Sequence, residues 1–162
     1  ERIMTVQQKA VGSDHPHVAE SLVRLALVRK RQEKHSDAEQ MLKRSVVIYE
    51  KMHGPEHLKV ASALAHLAEV YRLQRRYKEA EPLLRRAVQI CERVLGPRHA
   101  EVATSLNSLA VILNAQGRYD EAESFSLRAV EIWKAVLGPD HAQTLVGLSG
   151  LAITYARQGP LH

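Results

Sequence analysis

Three stretches, Gly54-Pro-Glu-His57, Gly96-Pro-Arg-His99 and Gly138-Pro-Asp-His141, place a histidine three residues after a glycine. A glycine turn followed by an imidazole has the makings of a phosphate cradle or a metal ligand, and Asp14-His15 and Asp140-His141 have the makings of a coupled general base. The spacing argues otherwise. His15, His57, His99 and His141 follow one another at intervals of 42 residues, as do Gly12, Gly54, Gly96 and Gly138. A fixed period of this size signals stacked structural repeats. Each helix layer of such a stack advances roughly 8 to 10 Å, so equivalent histidines in successive repeats stand too far apart to share an ion. No nucleophile or oxyanion donor recurs beside the Asp-His pairs, and the sequence holds no Cys-x-x-Cys, Gly-rich phosphate loop or His-Glu-x-x-His. No catalytic residue, metal site or cofactor is therefore expected. The histidines read as joints: Gly and Pro stop one helix, and the Asp-His or Glu-His that follows offers side chains to the unpaired amides of the next.

The rest of the chain supplies the elements that such joints would connect. Its 162 residues are 45% apolar and 25% charged, ordinary for one packed unit, and only 4% aromatic, so any core is built from Leu, Val, Ile and Ala. Within each period two amphipathic patterns recur. Leu22, Leu25, Ala26 and Arg29, repeated as Leu106, Leu109, Ala110 and Leu113, have the spacing of one helix face and define a helix A. Ala38, Leu42, Ser45, Val46 and Tyr49 define a helix B, matched by Ala80, Leu84, Ala87, Val88 and Cys91 and by Ala122, Ser126, Ala129, Val130 and Trp133. Cys91, the single cysteine, thus reads as a packing thiol, and Pro82 is expected in the first turn of its helix. Between A and B lies a turn at Gln116-Gly117-Arg118, where glycine suits a left-handed backbone; Glu33 and Arg75 hold the same place in earlier repeats and should be strained there.

Leu106-x-x-Leu109-Ala110-x-x-Leu113, followed by Gly117-x-Tyr119-x-x-Ala122 and Ala129, resembles the tetratricopeptide repeat. The 42-residue period, the Leu-Gly-Pro-x-His joint and the stretch EAEPLLRRAV at 79–88 resemble the kinesin light chain subtype, shared by nephrocystin-like proteins. The resemblance implies an all-α, right-handed superhelical array of antiparallel helix pairs. Its expected boundaries are a partial helix B at 1–11, full repeats at 12–53, 54–95 and 96–137, and a partial repeat at 138–162. It also implies a non-catalytic protein-interaction module with helix A on the concave wall. The motif's central pair varies here, from Leu22-Val-Arg-Leu-Ala26 to Leu148-Ser-Gly-Leu-Ala152, so cargo specificity does not carry over from the subtype.

Counting outward from the core leucines gives a peptide groove of Arg24, Leu27, Lys30 and Arg31 in the first repeat and Ser62, His66, Glu69 and Arg72 in the second. Thr104, Asn107, Ser108, Val111 and Asn114 continue it in the third, and Ser149 and Ile153 in the last helix. Small polar groups and an excess of Arg and Lys suit a short acidic segment, with Arg24, Lys30 and Arg72 making ionic hydrogen bonds and Asn107 and Asn114 meeting its backbone. The alternative is a structural spacer or oligomerisation module acting through helix B faces or open ends. The net charge of +5 gathers at 24–35, at 71–78 and at Arg85-Arg86, which suggests a basic rim, but few aromatics accompany it, which argues against nucleic acid. No apolar run is long enough to cross a bilayer, and one unpaired cysteine fits the cytoplasm. Starting at Glu1, the sequence reads as an excerpt; the last helix is expected to expose Leu148, Leu151 and Tyr155, so the ends should be continued or should self-associate.

Overall fold

The computed structural model describes residues 15–159; the half helix expected over 1–11 lies outside them. Within them are seven helices in chain order: α1 (Pro16–Arg31), α2 (His35–His53), α3 (Leu58–Leu73), α4 (Tyr77–Leu95), α5 (Ala100–Ala115), α6 (Tyr119–Leu137) and α7 (Ala142–Gln158). Each odd-numbered helix packs most closely against the even-numbered helix that follows it, and then against the one before it. The backbones of successive odd helices also approach closely, whereas among the described residues successive even helices meet only through long side chains such as Arg86 with Glu50. The odd helices therefore form the inner layer of the array and the even ones the outer layer.

The joints explain the recurring motif. Gly54, Gly96 and Gly138 end α2, α4 and α6 at φ 88°, 85° and 98° with ψ near 160°, a region that is essentially glycine's alone. Three residues on, each histidine occupies an extended N-cap and its Nδ1 accepts the amide hydrogen two residues ahead. The distances are 3.3 Å for His15, 3.1 Å for His57, 3.2 Å for His99 and 3.2 Å for His141. An imidazole here does the work usually given to Ser or Asp, relieving one of the unpaired amides that open a helix. At the A-to-B turns Glu33 and Arg75 do adopt φ of 60° and 59°, where Gly117 has 78°. Pro82 departs from expectation. It is the sixth residue of α4, because that helix begins at Tyr77, and the lost amide bond falls on an exposed side.

Packing between repeats sets the Tyr49 register of helix B opposite the Ala63 register of the next helix A, where a small residue stands in every repeat. Tyr49 goes with Ala63, Cys91 with Ser105, and Trp133 with Gly147. Cys91 is buried with Sγ 3.9 Å from Ser105 Oγ, and burial pushes its thiol above the ordinary range. At Gly147 an added Cβ would lie 2.8 Å from Val130 and 2.9 Å from the Trp133 ring. The large ring is accommodated only because glycine opposes it.

Two ladders of ion pairs stitch the repeats together. Along the A-to-B turns, Glu39 of α2 receives Arg76 at 2.6 Å and Lys43 at 2.7 Å, and Arg76 also grips Glu79. One repeat later Glu81 receives Arg118, which grips Glu121. At the joint edge Arg86 holds Glu50 and Arg128 holds Glu92. Arg86 therefore does not extend the rim of basic residues with Arg85, contrary to expectation; it points to the joint, where it also donates to the Pro55 carbonyl.

Candidate functional site

The inner wall is made by α1, α3, α5 and α7, and its clearest concavity runs between α3 and α5. Two adjoining troughs meet at Ala65. One, of about 240 Å³, is lined by Ala68, Glu69, Arg72, Asn107, Ser108 and Val111; the other, of about 400 Å³, by Lys59, Ser62, His66, Glu101, Thr104 and the edge of Cys91. Eight of the fifteen groove residues expected from sequence lie along these two troughs.

Their chemistry is more self-contained than their types suggest. Arg72 is locked to Glu69 by two hydrogen bonds of 2.7 and 2.8 Å. Burial would raise the Glu69 carboxyl, but the Arg72 hydrogen bonds outweigh it and hold the group below the ordinary carboxylate range. His66 is pushed below the usual imidazole value by burial and by Lys30, which favours the neutral ring. The Thr104 hydroxyl donates to the Ala100 carbonyl and that of Ser108 to the Thr104 carbonyl, so each keeps only acceptor capacity for a ligand. Asn107 lines the trough half-exposed, with its Oδ1 3.7 Å from where a Cβ on Gly150 would lie, and Val111 offers an apolar floor at 40% exposure.

Outside the troughs the expected residues separate. Arg24 is exposed and pairs with Glu20, while Leu27 and Lys30 are half-buried and Arg31 is exposed on α1. On α7, Ser149 bonds back to the Leu145 carbonyl and Ile153 lies open. Asn114 is a correction. It is buried, its amide donates to Thr154 Oγ1 at 2.8 Å, and it fastens α5 to α7 instead of meeting a ligand. The register that carries Lys30 and Arg72 in earlier repeats is turned into a packing position because α7 brings a threonine over it. The last helix gives a second correction. Leu151 is buried at 8% exposure, because its register faces the preceding helix α6. The open face instead carries Leu145, Leu148, Ala152 and Tyr155. Leu145 was missed for lack of a leucine at that register elsewhere; Ala61 and Ala103 stand there.

A tetratricopeptide repeat family model matches residues 1–51, 38–93, 59–125 and 101–160 in overlapping registers. The chain belongs to the tetratricopeptide repeat family. Among solved structures, a Podosopora anserina putative kinesin light chain of nearly identical TPR-like repeats aligns with 98% of this chain and 75% of its own at 26% identity and TM-score 0.83. A single-residue variant of that protein aligns at the same identity with TM-score 0.84. BtubC (BKLC) from P. vanneervenii aligns at 21% identity and TM-score 0.84 over 95% of this chain and 62% of its own, a likeness of fold. No curated protein sequence matches the chain significantly. The tetratricopeptide array is thus kinesin light chain-like. Arrays of this family are generally protein-interaction modules and typically not catalytic. Among the described residues no group of three or more His, Cys, Asp or Glu is placed to hold a metal, and no helix is long and apolar enough to cross a membrane.

Proposed function

We propose that the array is a non-catalytic docking module that captures a short segment of a partner protein in the concave wall, in a cytoplasmic setting. The observation that supports this reading is the continuous pair of troughs between α3 and α5, with Asn107 over an apolar floor at Val111. An extended segment laid there has an amide to meet its backbone and shallow apolar contacts for alternate side chains. Acidic side chains of the segment would reach Lys30 at the α1 end and, by displacing Glu20 from an exposed pair, Arg24.

The test fills the trough. Val111→Trp and Asn107→Leu are compared with the native chain in quantitative pull-downs, with circular dichroism confirming the fold. Partners held in the wall drop out with both variants; a partner list that survives both removes the groove from the function. A second reading, a spacer or oligomerisation module, is favoured by the open apolar face of α7. Light scattering over a concentration series separates it, since assembly through that face raises the mass and Leu148→Glu abolishes the rise.

A further inference from the structure

The fold contains many cations, but most are already closed. Arg24 pairs with Glu20, Arg72 with Glu69, Arg76 with Glu39 and Glu79, Arg85 with Glu81, and Arg118 with Glu81 and Glu121. Four exposed cations at the first two A-to-B turns close no ion pair among the described residues: Arg31 and Lys34 at the first turn, Arg75 and Lys78 at the second. The third turn is different. At the registers of Arg31, Arg75 and Lys78 it carries Ala115, Gly117 and Asp120, and its Arg118, at the register of Lys34, is taken up by the ladder.

Two further observations bear on this pair of clusters. Arg75 is held at φ 59°, as Glu33 is at 60° one turn earlier, in a left-handed conformation that Gly117 takes at the third turn, so a charged side chain is kept where glycine would sit without strain. Arg75 and Lys78 also border an open concavity of about 690 Å³, whose other walls are Arg76, Tyr77, Gln116 and Arg118 together with the carboxylates that neutralise the two arginines.

We propose that the rim across the first two A-to-B turns is a separate docking strip for a carboxylate-rich protein segment, read by Arg31 and Lys34 at one end and by Arg75 and Lys78 at the other. The strip goes beyond the groove: it lies on the turns and works whether or not the inner wall is filled. Successive odd helices touch within their layer, so matching turns stand about one interaxial distance apart, roughly 8 to 10 Å. An extended chain covers about 3.3 to 3.6 Å per residue, so the segment bears two acidic clusters separated by about two or three residues. Spaced carboxylates fit better than a phosphate backbone does. Glu33, Glu79 and Glu81 interleave the strip with negative charge, and Tyr77 is the one ring lining the concavity among the described residues, short of the successive rings on which bases stack.

The probe is a fluorescein-labelled peptide with two Glu-Glu pairs separated by about three Gly/Ser residues, read by anisotropy at low salt. A peptide of the same composition with the four glutamates contiguous and a single-stranded oligothymidine of equal charge are its comparators. The spaced peptide is expected to bind the native chain. Lys34→Glu with Arg75→Glu should weaken it at least about tenfold, while Arg98→Glu with Lys134→Glu, an equal change in net charge placed elsewhere, should cost less than about twofold. The milder pair Lys34→Gln and Arg75→Gln serves if the reversed pair unfolds. No binding to the native chain, equal losses in the two charge-reversed pairs, or equal affinity for the contiguous peptide each overturns the strip, and tighter binding of oligothymidine replaces it with a nucleic-acid surface. Val111→Trp leaves the peptide's affinity unchanged, so a failed groove and a failed strip give different results.

Discussion

Helices α5 and α7 occupy equivalent places in the period yet live in different surroundings. Leu106 of α5 is fully buried, while Leu148, at the same register of α7, is 45% exposed. Ala103, Ala110 and Leu113 are buried, and their counterparts Leu145, Ala152 and Tyr155 are open. In contrast, Leu109 and Ile112, which face the preceding helix, remain buried as Leu151 and Thr154. A helix in a stacked array thus has two apolar faces with two different owners, and a residue's energetic role depends on which neighbour is present rather than on its own type.

The largest expected effect comes from cutting the same leucine in both places. Leu106→Ala removes a fully packed side chain and should cost about 3 to 5 kcal/mol of stability in denaturant unfolding, whereas Leu148→Ala should cost less than about 1 kcal/mol. Equal losses would mean that α7's open face is covered in solution.

Next comes the fit of Trp133 against Gly147. Gly147→Ala pushes a methyl into Val130 and the Trp133 ring and should destabilise by about 2 kcal/mol, whereas Ser105→Ala, opposite the smaller Cys91, should fall within about 1 kcal/mol. Trp133→Tyr should recover part of the Gly147→Ala loss in a double-mutant cycle. Independent, additive losses would show that the ring does not dictate the glycine.

The period, the pairing of helices and the capping role of the histidines were legible in the sequence because they rest on local, recurring features: glycine φ, N-cap position and a helical stripe. What escaped was decided by partners distant in sequence. Arg76 looks like part of a free basic rim until Glu39, 37 residues upstream, closes on it. Asn114 looks like a groove amide until Thr154, 40 residues on, takes it. On the open face of α7, Leu148 and Tyr155 were legible, whereas Leu145 was not, since alanine holds its register in earlier repeats, and Leu151 faces α6 instead.

The interior and terminal rungs of the turn ladder offer a pH test. Burial alone would raise the Glu39 carboxyl, but hydrogen bonds from Arg76 and Lys43 hold it at about 2, against an ordinary 4.5. Because the folded value is depressed, the stability Glu39 contributes is complete above pH 4.5 and is lost as pH falls toward 2. Glu39→Gln should therefore destabilise by about 1 to 2 kcal/mol at neutral pH and flatten the acid limb of a stability-versus-pH curve. At the last rung, among the described residues, Glu123 meets only the neutral Gln158 amide and the Tyr155 hydroxyl, so Glu123→Gln should cost less and leave that limb in place. Identical curves for the two variants would remove the ladder's role in acid sensitivity.

The smallest effect separates the second turn from the third. Arg75 sits where Gly117 sits, with a side chain that strains the left-handed backbone and closes no ion pair among the described residues. Arg75→Gly relieves the strain but adds freedom to the unfolded chain, so the gain is expected to be only about 0.5 kcal/mol, seen as a slightly raised midpoint in urea. Gly117→Arg imposes the opposite change and should lose about 1 kcal/mol. If Arg75→Gly is stabilising and also weakens the spaced acidic peptide, the arginine at that turn is held against the backbone's preference for the sake of the rim; if it destabilises, contacts of the arginine stem outweigh the strain and the turn needs no functional explanation.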